Sequence, residues 1–537
     1  MRNLFGLNRN ATRVWRSTQF LVRLLALVMG SLAFSMVLTV TEPPGPGLEV
    51  ASALYLGAAQ SLADGHGYRV PMAGWSDPDS SVIPEKLPPG FPIAVALPTY
   101  FGLPAAQAAR LVEALSAFVA MTVLLAVVGD AAGAGVALLL GLALLVMPIM
   151  VDLHLSALSG PLFLALLALT LAVMVAAPEA AAVAGLCAAL AFGVRYTGAA
   201  FVLAVPVWML LRGERRAVRV RRAVAALIPG VVLGAVWMWR VRVAPSQLGG
   251  ADALAGLGAA AGIVPTNASV GGVVRGALAW LAPGVPGRGW VWVPAMVVAA
   301  LALLALVVGA RRVSRLYRLI PRDAPVQSST HIPQLMAGRV LGAAGLLAAF
   351  YLAALVVQAA MGSVVPLDDR AMAPFVLLLS TGVAVAAGTW ARSAPRLARV
   401  AMVVVVVVWS AASLAVSHAR VRDALANGSG LASDTWRGSQ LFGWVRGDGA
   451  SGPLYTNWPS AAWLELGRPV RGIPVSGDAA TLRAFGDTLA ARGGGGVVLA
   501  FRASSPAFVN TDSLIRALDL RVLAEYPDGR VLGPPRR

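Results

Sequence analysis

The chain has 537 residues, 58% of them hydrophobic and only 13% charged, with a mean hydropathy of +0.75. A soluble domain carries about a quarter of its residues as charges, so most of this surface faces something other than water, and a water-soluble protein is excluded. The net charge of +18 is almost wholly arginine, with Lys86 the sole lysine; the arginines cluster in short links between apolar runs, a pattern that writes membrane orientation and argues against a nucleic-acid partner.

In chain order, residues 1–19 form a basic tail bearing Arg2, Arg9, Arg13 and Arg16. The first span is predicted over about Phe20–Val40, with Arg23 in its first turn. The run is long enough to stay as an anchor, and the arginines before it place the N-terminus in the cytoplasm. A long outer loop, 41–90, follows. Its first part, Leu48–Asp64, has helical spacing and reads as an amphipathic helix lying on the membrane surface; its second, Pro71–Pro89, is rich in Pro, Ser and Asp and reads as loop.

Phe91–Leu103 is too short to span and reads as a half-helix dipping in from outside. Spans are predicted at about Ala105–Val128, Ala134–Ile149 and Ala157–Ala176. Two shorter runs, Ala180–Phe192 and Gly198–Leu211, meet at Arg195-Tyr196-Thr197-Gly198 and either pack inside the bundle or span with tilt. Arg212–Arg222 holds six arginines and one glutamate, the strongest inward signal. Further spans are predicted at about Ala223–Trp239, Trp290–Val308, Leu341–Met361, Met372–Thr389 and Val400–Val416. The expectation is a polytopic α-helical membrane protein of about eleven spans, N-in and C-out, with its transmembrane domain over 20–416. Residues 417–537 change composition. Short β-like runs (Leu454–Asn457, Gly496–Phe501, Leu520–Ala524) alternate with helical ones (Ala479–Arg492, Thr511–Leu518), predicting a small extracytoplasmic α/β domain.

The single cysteine, Cys187, excludes a disulfide framework or cysteine zinc site within one chain. Ionisable residues on the predicted outer side are the functional candidates, because charge near a bilayer is costly to hold. Asp152 and His154, two apart in the link between the third and fourth spans, share a face if that link is extended. A carboxylate and an imidazole so placed can hold a divalent metal, Mg or Mn, or orient a base; otherwise they are polar residues in a wet turn. Lys86 precedes Leu87-Pro88-Pro89-Gly90, where the prolines fix the backbone at the membrane face. With Arg240 and Arg242 at the end of the seventh span it can clamp a lipid-linked phosphate, although snorkelling to headgroups also suits the two arginines.

Several stretches resemble the GT-C class of membrane glycosyltransferases, in particular its bacterial branch related to protein O-mannosyltransferases and the aminoarabinose transferase of lipid A. They are Ala53-Leu54-Tyr55-Leu56 through Ala63-Asp64-Gly65-His66-Gly67-Tyr68, then Leu87-Pro88-Pro89-Gly90-Phe91-Pro92 and Ala109-Arg110-Leu111-Val112. Ser159-Gly160-Pro161-Leu162-Phe163, Val194-Arg195-Tyr196-Thr197-Gly198, and Asp369-Arg370 before Pro374 complete the set. The order of these motifs carries the likeness. Glu85-Lys86 resembles the Glu-Lys-Pro-Pro of the aminoarabinose transferases with Leu87 inserted, and Asp152-Leu153-His154 is similar to the metal-binding Asp-x-His of archaeal oligosaccharyltransferases.

The resemblance implies an inverting hexosyl or pentosyl transfer from a polyprenyl-phosphate carrier to a lipid, glycan or protein acceptor, at the outer face of the plasma membrane in the cell envelope. It implies Glu49 as proton acceptor, Lys86, Arg240 and Arg370 as donor-phosphate ligands, and Asp152 with His154 as metal ligands or acceptor-orienting groups. Two positions depart from the family's pattern. Ala51 stands where an aspartate is usual, leaving Glu49 two residues away on a different helical face, and Gly160 replaces a glutamate. Either Glu49 substitutes, or the chain is a catalytically divergent scaffold; a lipid or sugar transporter without bond-making is the remaining alternative.

Overall fold

The structure is a computed structural model describing residues 9–42, 45–77, 81–84, 87–212, 215–243, 332–360, 369–448, 450, 452–491, 496–503 and 508–535. The span expected at Trp290–Val308, together with Glu85, Lys86 and Asp368, lies outside the described residues.

The membrane-embedded part is a bundle of apolar helices: α1 (Arg9–Val40), α4 (Ala105–Ala132), α5 (Ala134–Val146), α6 (Pro148–Leu155), α7 (Gly160–Ala176), α8 (Ala181–Val194), α9 (Ala199–Leu210), α10 (Arg216–Val243), α11 (Ile332–Ala360), α12 (Asp369–Ala391) and α13 (Arg396–Asn427). Among the described residues six helices are long and apolar enough to cross a membrane, or up to seven if α5 and α6, bent by 55° at Met147-Pro148, form one broken span. Proline lacks the amide that would continue α5 but is tolerated in the first turn of a new helix, so Pro148 ends one helix and starts the next. The bundle is packed closely where residues are small. A Cβ at Gly185 of α8 would come within 2.0 Å of the Ala226 carbonyl of α10, so only glycine permits that crossing. The two short runs around Arg195 are α8 and α9, separated by an extended Arg195 and a 3₁₀ turn over Tyr196–Gly198.

The segment expected to lie on the membrane surface is instead an internal helix. Helix α2 (Val50–Ala63) buries Val50 and every residue from Ser52 to Ala59. One set of its side chains (Tyr55, Leu56, Ala59) joins the bundle core with Phe91 of α3 (Gly90–Tyr100), and the other (Val50, Ala53, Leu54, Ala58) joins the core of the C-terminal domain. A helix apolar all round is a buried helix, and the alanines let both cores approach it.

The C-terminal part contains a six-stranded sheet in the order β1-β3-β2-β4-β6-β5. Its strands are β2 (Leu454–Thr456), β3 (Val470–Gly472), β4 (Val497–Phe501), β5 (Leu520–Tyr526) and β6 (Gly529–Pro535), with β1 (Met72–Ala73) contributed by the first long loop. β1, β3, β2 and β4 run parallel, and β6 and β5 pair antiparallel. Central β4 is buried on both faces, as parallel strands covered by helices are: Val497, Leu499 and Phe501 enter one core, Val498 and Ala500 the other. The covering helices are α14 (Asp434–Arg437), α15 (Gln440–Asp448), α16 (Pro459–Leu466), α17 (Ala479–Ala491) and α18 (Thr511–Leu518). The β1 connection is fastened by buried Arg471, whose guanidinium donates to the Gly74 and Asp77 carbonyls. Two sequence boundaries therefore move. Two residues of the first loop, Met72 and Ala73, belong to the sheet, and position 417 falls inside α13, where the Ser417 hydroxyl donates to the Val146 carbonyl at 2.8 Å.

Candidate active site

Glu49 sits at a crossing of three chain segments. The Gly47 amide donates to the Leu155 carbonyl (2.7 Å) and the Ala157 amide to the Gly47 carbonyl (2.9 Å); on the other side the Leu48 amide donates to the Ser429 carbonyl (3.2 Å) and the Leu431 amide to the Leu48 carbonyl. Glu49 then caps α2 in an extended conformation (φ −107°, ψ 174°), its amide donating to Ser52 Oγ at 2.9 Å. Because it precedes the helix, a helical-wheel offset from Ala51 does not set its direction, which corrects the expectation of a displaced helical face. Its carboxylate is gripped by both terminal nitrogens of Arg370, in the first turn of α12: Nη1 to Oε1, and Nη2 to Oε2 at 3.3 Å. The expected proton acceptor and one expected phosphate ligand thus face each other.

Asp152 and His154 do not share a face. Their link is helical, and two residues along an α-helix turn through about 200°, so the condition of an extended link is not met. Asp152 forms an ion pair with Arg420 of α13, and His154 Nδ1 lies 2.7 Å from the Met150 carbonyl of its own helix. That bond puts the proton on Nδ1 and leaves Nε2 as an acceptor. No group of three or more His, Cys, Asp or Glu side chains that could hold a metal occurs among the described residues. Asp152 and His154, pointing to different sides of their helix, do not form the expected Mg or Mn ligand pair, and no step is derived through one.

The basic side of the site is built on tyrosines. Tyr68 donates to the Leu87 carbonyl (2.8 Å), next to Lys86, and meets Trp237 of α10 edge-on at 5.9 Å. Trp237 Nε1 donates to the Tyr196 hydroxyl at 2.9 Å. Arg240, half-buried, is three residues further along α10 and so on the same side as Trp237. Arg195, between α8 and α9, holds its guanidinium 5.8 Å from the centre of the Phe163 ring of α7. Neither Arg195 nor Arg240 forms an ion pair with a carboxylate among the described residues. Tyr55 follows Glu49 by six residues, about 9 Å along the helix.

Sequence reasoning did not single out Glu113 or Arg420, and named Ser159 only as the head of a motif without a role. Glu113 of α4 is fully buried and its Oε1 accepts from the Leu158 amide at 2.8 Å, while Ser159 Oγ lies 3.2 Å from the Tyr55 hydroxyl. The signal for Glu113 was present, a lone carboxyl inside an apolar run. At Gly160 a Cβ would come within 2.4 Å of Leu153 Cδ1, so a larger residue there requires the Leu153 side chain to move.

No family model matches the chain, and no curated protein matches it. Solved structures do. The mycobacterial arabinofuranosyltransferase AftD superposes with a TM-score of 0.52 at 14% identity, over 96% of this chain. The chain has the GT-C fold. It spans 42% of AftD's length. Two other GT-C structures are similar at lower scores. ArnT from Cupriavidus metallidurans, solved bound to undecaprenyl phosphate, gives a TM-score of 0.45 at 13% identity over 95% of this chain and 99% of its own. AglB, the oligosaccharyltransferase of Archaeoglobus fulgidus, solved with an inhibitory peptide and a dolichol-phosphate, gives 0.45 at 10% identity over 89% and 69%.

Proposed function

We propose that this GT-C chain is a membrane glycosyltransferase that moves a hexosyl or pentosyl group, in the manner of mannosyl transfer, from a polyprenyl-phosphate carrier to a lipid, glycan or protein acceptor. The work is done at the outer face of the cytoplasmic membrane, with the N-terminus inside and the sheet domain outside, a reading that the arginine clusters support. The observation carrying the reading is the placement of Glu49. A carboxylate is fixed by backbone bonds on both sides, at the start of a helix between bundle and sheet, with the Arg370 fork against it.

In the reaction the acceptor oxygen attacks the sugar's anomeric carbon, and the bond from that carbon to the phosphate oxygen breaks. The electron pair leaves with the phosphate and the acceptor's proton passes to Glu49. Arg195, Arg240 and Lys86 neutralise the departing phosphate, for which guanidinium groups are suited. Arg370 holds the Glu49 carboxylate in place and turns part of its fork to the phosphate when the carrier is bound. The test is transfer in proteoliposomes from a panel of radiolabelled polyprenyl-phosphate sugars. Glu49→Gln is expected to lower kcat by about a hundredfold or more; unchanged transfer would remove Glu49 from the chemistry.

A second reading, a scaffold without bond-making, draws on one observation: both Glu49 and Asp152 already have arginine partners. Binding of polyprenyl phosphate without transfer of any sugar in the panel would favour it.

A further inference from the structure

Glu113 is fully buried in α4, its Oε1 accepts the Leu158 amide at 2.8 Å, and its Oε2 has no hydrogen-bond partner among the described residues. A buried, half-satisfied carboxyl destabilises the fold relative to an apolar side chain of the same shape. What it holds is a five-residue segment, 155–159, three of whose backbone groups bond to residues far away in the chain. The Leu155 carbonyl and Ala157 amide form the ladder with Gly47, Leu158 is held by Glu113, and Ser159 Oγ meets the Tyr55 hydroxyl.

Gly47 is closely hemmed in. A Cβ there would come within 2.9 Å of both Ser156 Oγ and Ser429 Cβ, so Gly47 lies tightly between the 155–157 segment and Ser429, and its ladder bonds tie it to the first of these. Two residues later comes Glu49. The chain of contacts is therefore Glu113 to Leu158, Ala157 to Gly47, and Gly47 to Glu49. The links are hydrogen bonds joined by short stretches of backbone, Leu158 to Ala157 and Gly47 through Leu48 to Glu49.

We infer that Glu113 is a positioning residue for Glu49: as an acceptor for the Leu158 amide it sets the register of segment 155–159 and, through Gly47, the place of the Glu49 carboxylate. The inference rests on the reading of Glu49 as proton acceptor, and the ladder itself is testable without that reading. Hydrogen–deuterium exchange of the full-length protein in detergent micelles would follow peptides covering 45–49 and 155–159.

In Glu113→Leu both segments are expected to exchange about tenfold faster or more, with the interiors of α4 and α7 unchanged. In Glu113→Gln, whose amide oxygen still accepts, exchange stays within about threefold of the parent. Sugar transfer is expected to follow the same order: kcat falls about ten- to a hundredfold in Glu113→Leu with KM for the carrier little changed, and Gln restores it. Should the Leu variant not fold, Gly47→Ala displaces the same ladder from its other side and is expected to give the same split between kcat and KM. Unchanged protection of 45–49 in Glu113→Leu, or a Gln variant as impaired as the Leu variant, would overturn the assignment. A parent protein that transfers no sugar would sink the glycosyltransferase reading alone, since the exchange result still decides the linkage.

Discussion

Arg370 and Glu49 lie 321 residues apart in sequence and meet through a two-pronged ion pair between the first turn of α12 and the cap of α2. Their side chains remain 27% and 35% exposed, so the pair adds little to stability, below about 1 kcal/mol for charges this accessible to water. Its worth is directional, because a guanidinium fork fixes a carboxylate's plane as an ammonium does not. Arg370→Lys and Arg370→Ala are each expected to leave the melting temperature within a few degrees of the parent while lowering sugar transfer about tenfold or more. Parallel melting and steady-state measurements check this; a large loss of stability with intact transfer would contradict it.

Asp152 is paired with Arg420, and His154 with its own helix, on sides of α6 about 200° apart. The two are expected to act independently. Asp152→Asn should be no worse when combined with Arg420→Gln than alone, whereas Asp152→Asn and His154→Ala should add. Manganese titration followed by paramagnetic broadening checks the alternative: a saturable site lost in both Asp152→Asn and His154→Ala would show that they share an ion.

Helix α2 is the wedge between two cores, and Ala53 and Ala58 are 0% exposed. Enlarging either should force the cores apart. Ala53→Leu and Ala58→Leu are each expected to cost about 1–3 kcal/mol, and Gly57→Leu at least as much, since a Cβ there already comes within 2.8 Å of Pro71. Denaturant unfolding in micelles, followed by tryptophan fluorescence, measures the loss.

Asp478 precedes α17, accepting from the Ser476 hydroxyl at 2.6 Å and the Thr481 amide at 2.8 Å. These bonds, the hydroxyls foremost, hold its carboxyl well below the usual aspartate range. A depressed folded-state pKa means the stabilisation is present above the unfolded value, about 3.9, and is lost as pH falls through the folded one. Asp478→Ala should therefore lower the melting temperature at neutral pH, with the gap narrowing as pH drops below about 4. Melting curves from pH 7 downward test the sign.

The long apolar runs of α1, α4 and α10 were legible because length and uniform hydropathy suffice to mark them, and α18 was placed at its observed bounds because its two-sided pattern is strong. Three features were hidden for separate reasons. Helix α2 is small and apolar on every side, so the same residues fit a membrane surface or a double-sided burial. The Asp152 link was expected beyond a span running to Ile149, whereas Pro148 ends α5 and starts a separate helix that carries Asp152. Strand β1 has two residues, too few for any period, and its partners lie far along the chain. Glu49 and Arg370 were both named, but their pairing belongs to the tertiary fold and no local spacing encodes it.

The sheet's edge carries a timing consequence. The Arg471 contacts that secure β1 to Gly74 and Asp77 close over 397 and 394 residues. At ribosomal rates of about 5–20 residues per second, roughly 20–80 s separate synthesis of the two sides. During that interval β1 must wait unpaired while most of the helices are being inserted, so a chain stalled or truncated before β3 would present an incomplete assembly to quality-control proteases.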